Sequence, residues 1–370
     1  MQTHQSRIKR AQELLVANKI DALLVTNQPN IFYLTGISEF PENERDCRIL
    51  ITRTNTYLFT DFRYKEAVIT KASFAELVEI SHSSSFTKGL QTILQNENIT
   101  IVGIEGNSLS VLELDHLEEN LKSQKFISID KNIESLRSIK DQEEIKNIQR
   151  ACDLTDQAFE YIVRHIKSGV SEKEIAWEIE KFIKERDGEL AFPSIIAFGP
   201  HAAIPHHSPL DSILSSSSET VLLDMGAKVN GYSSDMTRCF FVKTPSSSLQ
   251  KAYEDLLLVQ TEALEELGTY NAPNFEASQI QKNADSKLVK HGYPLIPHGI
   301  GHGVGINVHE APTLSGLNNN KLDKNMIVTV EPGIYIPGKF GFRIEDTVLL
   351  GDSAQSLTRS PKELLVLSLP

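Results

Sequence analysis

Apolar positions in the first hundred residues follow two spacings. In RIKRAQELLVANKI, Ile8, Ala11, Leu14 and Leu15 recur three and four apart, as one face of a helix requires. The DALLVT that follows is a short apolar run of the kind a buried strand carries. CRILIT, TYLFT and TIVGIEG are further strand candidates, with helical stretches between them. Helix alternating with strand predicts a small α/β domain on a mixed or parallel sheet.

Around Ser135 the pattern changes. LRSIKDQEEIKNIQRACDLTDQAFEYIVRHI carries Ile145, Ile148, Cys152, Phe159, Ile162 and Ile166, the stripe of a long amphipathic helix. Ser171 and Glu174 have capping-box spacing, which predicts a second helix ending near Gly188. VLLDMGAKV and GYSSDMTRCFFV flank Asn230-Gly231, a strong hairpin signal. Two helical stretches follow, SLQKAYEDLLLVQTEALEEL and ASQIQKNADSKLVKHG. MIVTVEPGIYI and FGFRIEDTVLL then flank a turn around Pro337-Gly338. Helix-rich and hairpin-rich segments thus occur twice, the trace of a duplication without a readable repeat. The domain boundary is placed near residue 134, giving domains 1–134 and 135–370, and the serine runs at 215–218 and 246–248 read as loops.

Length supports the division, because 370 residues exceed one ordinary core. A net charge of -12 argues against a nucleic-acid footprint, which would need a basic patch. The N-terminal MQTHQSRIKRAQELL has no signal-peptide core, and no apolar run is long enough for a membrane span. Three distant cysteines, Cys47, Cys152 and Cys239, form neither a disulfide framework nor a thiolate metal site, so a cytoplasmic location is expected.

The chemistry is concentrated in two hairpins and one loop. A first hairpin centred between Val229 and Asn230 would set Asp224 opposite Asp235, with Cβ atoms about 5 Å apart. Glu331 and Glu345 are likewise symmetric about Gly338. Like charges facing each other destabilise a sheet, so two such pairs in apolar strands call for a cation. HGIGHGVGINVHE adds His298, His302 and His309. Its glycines match no G-x-G-x-x-G window, and glycine at alternate positions opposes a helix despite the four-residue spacing of His298 and His302. An extended segment with His298, Ile300, His302 and Val304 on one face is expected, its glycines allowing a strand or substrate to approach. Oxygen and imidazole donors without thiolates suit Mn, Co or Zn, and four carboxylates balance two divalent ions.

Together VLLDMG…SSDMTR, HGIGHGVGINVHEAP, VEPGIY and FRIEDT resemble the pita-bread metallopeptidases, the aminopeptidase P and prolidase group. The match runs over most of residues 135–370, and NIFYLTG with LFTDFRYKEA resembles the smaller creatinase-like N-terminal domain of the proline-specific members. The fold implied is α+β: a small α/β domain, then a pita-bread catalytic domain with pseudo-twofold duplication.

The resemblance makes Asp224, Asp235, His302, Glu331 and Glu345 the ligands of two divalent metals, Mn first, with Asp235 and Glu345 bridging. It gives His298 and His309 roles in orienting substrate and stabilising the oxyanion, and Glu331 a role in proton transfer. AIPHH matches a further histidine motif with His206 in the expected place and His207 as the alternative, and Arg343 resembles an arginine that holds a ligand carboxylate. The implied reaction is hydrolysis of the Xaa-Pro bond in dipeptides or at a peptide N-terminus, by a homodimer. Methionine aminopeptidases lack an N-terminal domain of this size, and creatinase-like hydrolases lack the metal ligands. A metal-dependent lyase or a non-catalytic binding protein on the same scaffold is the alternative.

Overall fold

The computed structural model describes residues 2–41, 44–215, 220–272 and 275–367, so positions 216–218 of the first serine run lie outside the described residues. The chain divides into two compact units, Met1–Arg137 and Ser138–Pro370.

The first unit is built on a six-stranded mixed sheet, in the order Glu76–Glu79, Thr56–Thr60, Cys47–Thr52, Ala22–Val25, Ile101–Ile104, Lys125–Ser128. Cys47–Thr52 runs antiparallel to both neighbours and the remaining pairs are parallel. The four inner strands are those the apolar runs predict. The two edge strands, ELVE and KFIS, bury little and carry charge, which keeps an open edge from pairing with other chains but also hides it in the sequence.

The expected long helix is two helices: Asp130–Ser138 closes the first unit and Gln142–His165 belongs to the second. Asp141 ends the continuity: its carboxylate accepts the backbone N–H of Glu143 and Glu144, while Glu144 reaches back to the Asp141 N–H. Lys140, beside it, is fully buried, and its ammonium pairs with Glu310 at 3.0 Å. Ser171 and Glu174 form the expected capping box, and the helix they open runs Glu172–Lys184. This helix and Gln142–His165 pack on the sheet Met236–Phe241, Thr220–Met225, Ile195–Phe198 through Phe159, Ile179, Ile183, Leu223 and Phe240. Ser247–Leu267 and Ala277–Lys290 share a second core with the sheet containing Ile327–Val330 and Asp346–Leu350, through Leu256, Ile280, Val328 and Val348.

Three expectations change in detail. Asn230 and Gly231 both have positive φ (51° and 80°) and form a two-residue turn, so the first hairpin is centred between them. Thr237 therefore faces Asp224, and Asp235 is displaced diagonally rather than opposite. The second hairpin keeps the expected register, with Gly333 facing Arg343 and Val330 facing Asp346, but it is interrupted. Pro332 has no N–H to give the ladder, and the chain changes sheets at Glu331-Pro332 and again at Ile344-Glu345. The histidine segment is a strand only over Gly301–Gly303; His298 precedes it and His309 lies in the turn that follows.

Candidate metal centre

The four carboxylates reach one place because both hairpins change sheets there. Asp235 falls between Tyr232–Ser233 and Met236–Phe241, and its backbone N–H donates to Thr347 Oγ1. At the second break the N–H of Glu331 donates to the carbonyl of Ile300 and that of Glu345 to the carbonyl of Thr237. His302 enters from the glycine segment, and the glycines are there for closeness. A Cβ on Gly301 would lie 2.0 Å from the carbonyl oxygen of Thr329, and one on Gly303 2.2 Å from that of Ala311. The neighbouring strands, not a substrate, fill the space a side chain would need.

The ligand atoms of Asp224, Asp235 and Glu345 lie within 4.8 Å of one another, as do those of His302, Glu331 and Glu345. Those of Asp235, His302 and His309 form a third such group, so His309 also comes within reach of the cluster. His302 Nδ1 lies 3.1 Å from the Gly303 carbonyl and donates to it, which aims Nε2 at Glu331 Oε1 (3.3 Å) and Asp235 Oδ2 (3.6 Å).

Arg343 organises the opposite wall. Its guanidinium donates to Asp224 Oδ2 at 2.5 Å, to Thr237 Oγ1 at 3.0 Å, to the Tyr335 hydroxyl at 2.9 Å and to the carbonyl of Pro205 at 3.3 Å. Thr237 passes the contact on, donating to Glu345 Oε2 at 2.7 Å. The Tyr335 hydroxyl donates to His298 Nε2 at 2.9 Å while His298 Nδ1 donates to the Gly299 carbonyl, which fixes a neutral tautomer. Burial, the largest influence, lowers the His298 pKa in keeping with that.

The electrostatics ask for positive charge. Burial, then Glu345, Asp224 and Glu331, push the Asp235 carboxyl well above its usual range. Burial with Glu331 and Asp224 does the same to Glu345. Burial lowers the pKa of His302, but Glu331 outweighs it and the net shift is upward. Asp224 Oδ1 is buried with no hydrogen-bond partner. An orphaned carboxylate oxygen, three buried acids in mutual repulsion and an all-oxygen-and-imidazole donor set fit divalent cations.

These groups line a cleft of about 460 Å³ whose other walls include Phe192, Pro193, Ile195, Pro205 and Pro209. His206 and His207 both line it; His206 is exposed, whereas His207 is buried and donates from Nε2 to Glu172 at 2.8 Å. All the residues named from the sequence, Asp224, Asp235, His206, His298, His302, His309, Glu331, Arg343 and Glu345, therefore face one space.

Residues 146–352 match the metallopeptidase family M24. The chain belongs to this family. Residues 7–139 match the creatinase/prolidase N-terminal domain, so the M24 domain here follows the smaller domain expected from the sequence. A curated relative, the Xaa-Pro dipeptidase of Pyrococcus horikoshii, is 32% identical over 99% of this chain and 100% of its own length. The solved Xaa-Pro dipeptidase from Bacillus anthracis is 31% identical with a TM-score of 0.91, covering 98% of this chain and 100% of that one. The X-Pro aminopeptidase from Thermotoga maritima MSB8 is 29% identical with a TM-score of 0.85, covering 94% and 98%. The pita-bread architecture is thus the fold of this M24 chain.

Thr237, Tyr335 and Thr329, which accepts the His302 N–H at 3.0 Å, belong to the same network and were not singled out from the sequence. A hairpin centred on Asn230-Gly231 would have found Thr237, since that register sets it facing Asp224. Among the described residues no helix is long and apolar enough to cross a membrane.

Proposed function

We propose that this chain is a metal-dependent Xaa-Pro peptidase, with dipeptides ending in proline as its first substrate class. The carrying observation is the convergence of Asp224, Asp235, His302, Glu331 and Glu345 on one buried cluster with an unpartnered carboxylate oxygen. These five would hold two divalent ions, Mn by preference and Co or Zn as substitutes. Bound there, the ions would make water acidic enough to attack near neutral pH and would polarise the scissile carbonyl.

The protein's own groups divide the remaining work. Glu331, whose Oε2 lies 4.0 Å from His298 Nδ1, is placed to take the proton of the attacking water and return it to the proline nitrogen. His309 stands beside His302, ring centroids 4.3 Å apart, and burial, the largest influence, lowers its pKa. It therefore offers a neutral N–H donor to the carbonyl oxygen as charge develops. His206 faces the same cleft from the opposite loop and serves to orient the substrate. Arg343 keeps Asp224 and, through Thr237, Glu345 in fixed positions.

The dipeptidase reading is supported by the whole-length likeness to Xaa-Pro dipeptidases, and the second reading, an aminopeptidase, by the Thermotoga maritima relative. Hydrolysis of Xaa-Pro against Xaa-Pro-Xaa peptides by protein refilled with Mn, Co or Zn separates them. Dipeptide cleavage alone makes it a dipeptidase and tripeptide cleavage an aminopeptidase. No cleavage of either with metal bound would sink the reading in favour of a lyase or a binding protein.

A further inference from the structure

Outside the carboxylate cluster, a second group of titratable side chains gathers on the first residue of the helix Glu172–Lys184. The Glu172 side chain is 0% exposed, and its four partners come from one short stretch, the end of the strand Ile195–Phe198 and the loop after it. Oε1 accepts the Phe198 N–H at 2.9 Å and His201 Nδ1 at 2.7 Å. Oε2 accepts His207 Nε2 at 2.8 Å and the Leu210 N–H at 2.9 Å. Four donors fill the four lone-pair directions of one carboxylate. Burial would raise the Glu172 pKa; His207, His201 and the two backbone donors outweigh it and hold the group below its usual range.

The loop so gripped carries His206. Between the two imidazoles the chain makes two tight turns, with the Ile204 N–H on the His201 carbonyl and the His207 N–H on the Ile204 carbonyl. From the cleft side, Arg343 holds the Pro205 carbonyl. A Cβ on Gly341 would lie 1.8 Å from the Ala202 carbonyl oxygen, so the strand Phe340–Arg343 presses directly on the loop. His206 thus projects from backbone fixed immediately before it by Arg343 and immediately after it by Glu172.

We infer that Glu172 is a positioning residue for the reaction: its carboxylate, acting through His201 and His207, sets where His206 stands in the cleft. The inference rests on the role given to His206 above. It also assigns a purpose to the second histidine of AIPHH, which serves as the anchor of the first.

The test uses the metal-loaded, full-length protein. Glu172→Gln keeps the shape but places an amide N–H₂ where acceptors are needed, and it should lower kcat/KM by about 10–100-fold. The loss should divide between kcat and KM as it does in His206→Ala, with metal per chain unchanged. In a His206→Ala background, Glu172→Gln should cost less than about twofold more, because the two act as one unit. Should Glu172→Gln fold poorly, His207→Ala gives the smaller loss and His207→Gln, which restores an N–H donor, recovers it. Additive losses with a slow His206→Ala overturn the clasp while leaving His206 its role; a His206→Ala at wild-type rate ends both. Loss of one metal ion in Glu172→Gln, with the others kept, would make the Glu172 trio a metal site instead and overturn the clasp. Independently of any substrate, the His206 ring signal in the NMR spectrum of zinc-loaded protein, assigned by its absence in His206→Ala, should shift in Glu172→Gln. An unmoved signal overturns the clasp whatever the enzyme cleaves.

Discussion

Arg343 holds Asp224 by one carboxylate oxygen, Oδ2, and leaves the other, Oδ1, buried with no hydrogen-bond partner. The arginine thus orients the carboxylate without satisfying it. Lysine cannot reproduce this, since a single ammonium has no planar fork to reach Asp224, Thr237 and Tyr335 together. Arg343→Lys should weaken metal binding about 10–100-fold, read by competition with a chromogenic chelator. Unchanged affinity would remove Arg343 from the site.

Asp235 is surrounded by Glu345, Asp224 and Glu331, and bound cations would relieve their repulsion. Asp235→Asn should abolish metal binding and activity together while raising the melting temperature measured in excess chelator. Loss of metal together with a higher melting temperature in chelator distinguishes a ligand from a merely structural acid, which would lose stability there.

His309 is expected to act on the substrate rather than to hold metal, although its ring nitrogen comes within reach of Asp235 and His302. His309→Ala should therefore lower kcat by about 10²–10³, the size of effect of one lost oxyanion donor, with elemental analysis near wild type. Metal loss instead would make it a ligand.

Lys140 and Glu310 form an ion pair with side chains 0% and 7% exposed, one at the entrance to the second unit and the other next to His309. Removing the cation breaks a buried ion pair from one side, so Lys140→Met should cost about 3–5 kcal/mol in urea unfolding. Lys140→Met/Glu310→Gln should recover part of that, and equal losses in single and double variants would deny the pair any coupling.

The lowered pKa of Glu172 gives a pH dependence of definite sign. A carboxyl whose pKa falls on folding contributes stability above its unfolded value, roughly 4.3. That contribution is lost as pH falls through the folded value. The melting-temperature gap between wild type and Glu172→Gln, both in chelator, should be widest near neutral pH and narrow below about pH 4. A gap that widens with acid would reverse the sign.

Much of this was legible in the sequence because it was local. The Ser171–Glu174 capping box and the Asn230-Gly231 turn are written in adjacent residues. The candidate ligands stood out because acids in apolar strands and histidines among glycines are costly patterns. What could not be read depended on contacts between distant segments. Nothing near Glu172 announces that Phe198, His201, His207 and Leu210 will all donate to it. Placing Asp235 directly opposite Asp224 failed through a one-residue error in centring the turn, which moves every partner along the strand by two.

The breaks in the two hairpins bear on how the protein is made. The N–H of Glu345 hangs on the Thr237 carbonyl, and the Thr237 hydroxyl donates to Glu345 across 108 residues of chain. Neither hairpin can present its acids correctly until the other has been synthesised and docked. Contacts so remote form late in folding, and a chain that ends before the second hairpin would hold Asp224 and Asp235 without a binding site. Retention of metal would then act as an inspection of the finished catalytic unit, passed only by chains that reached their last strands.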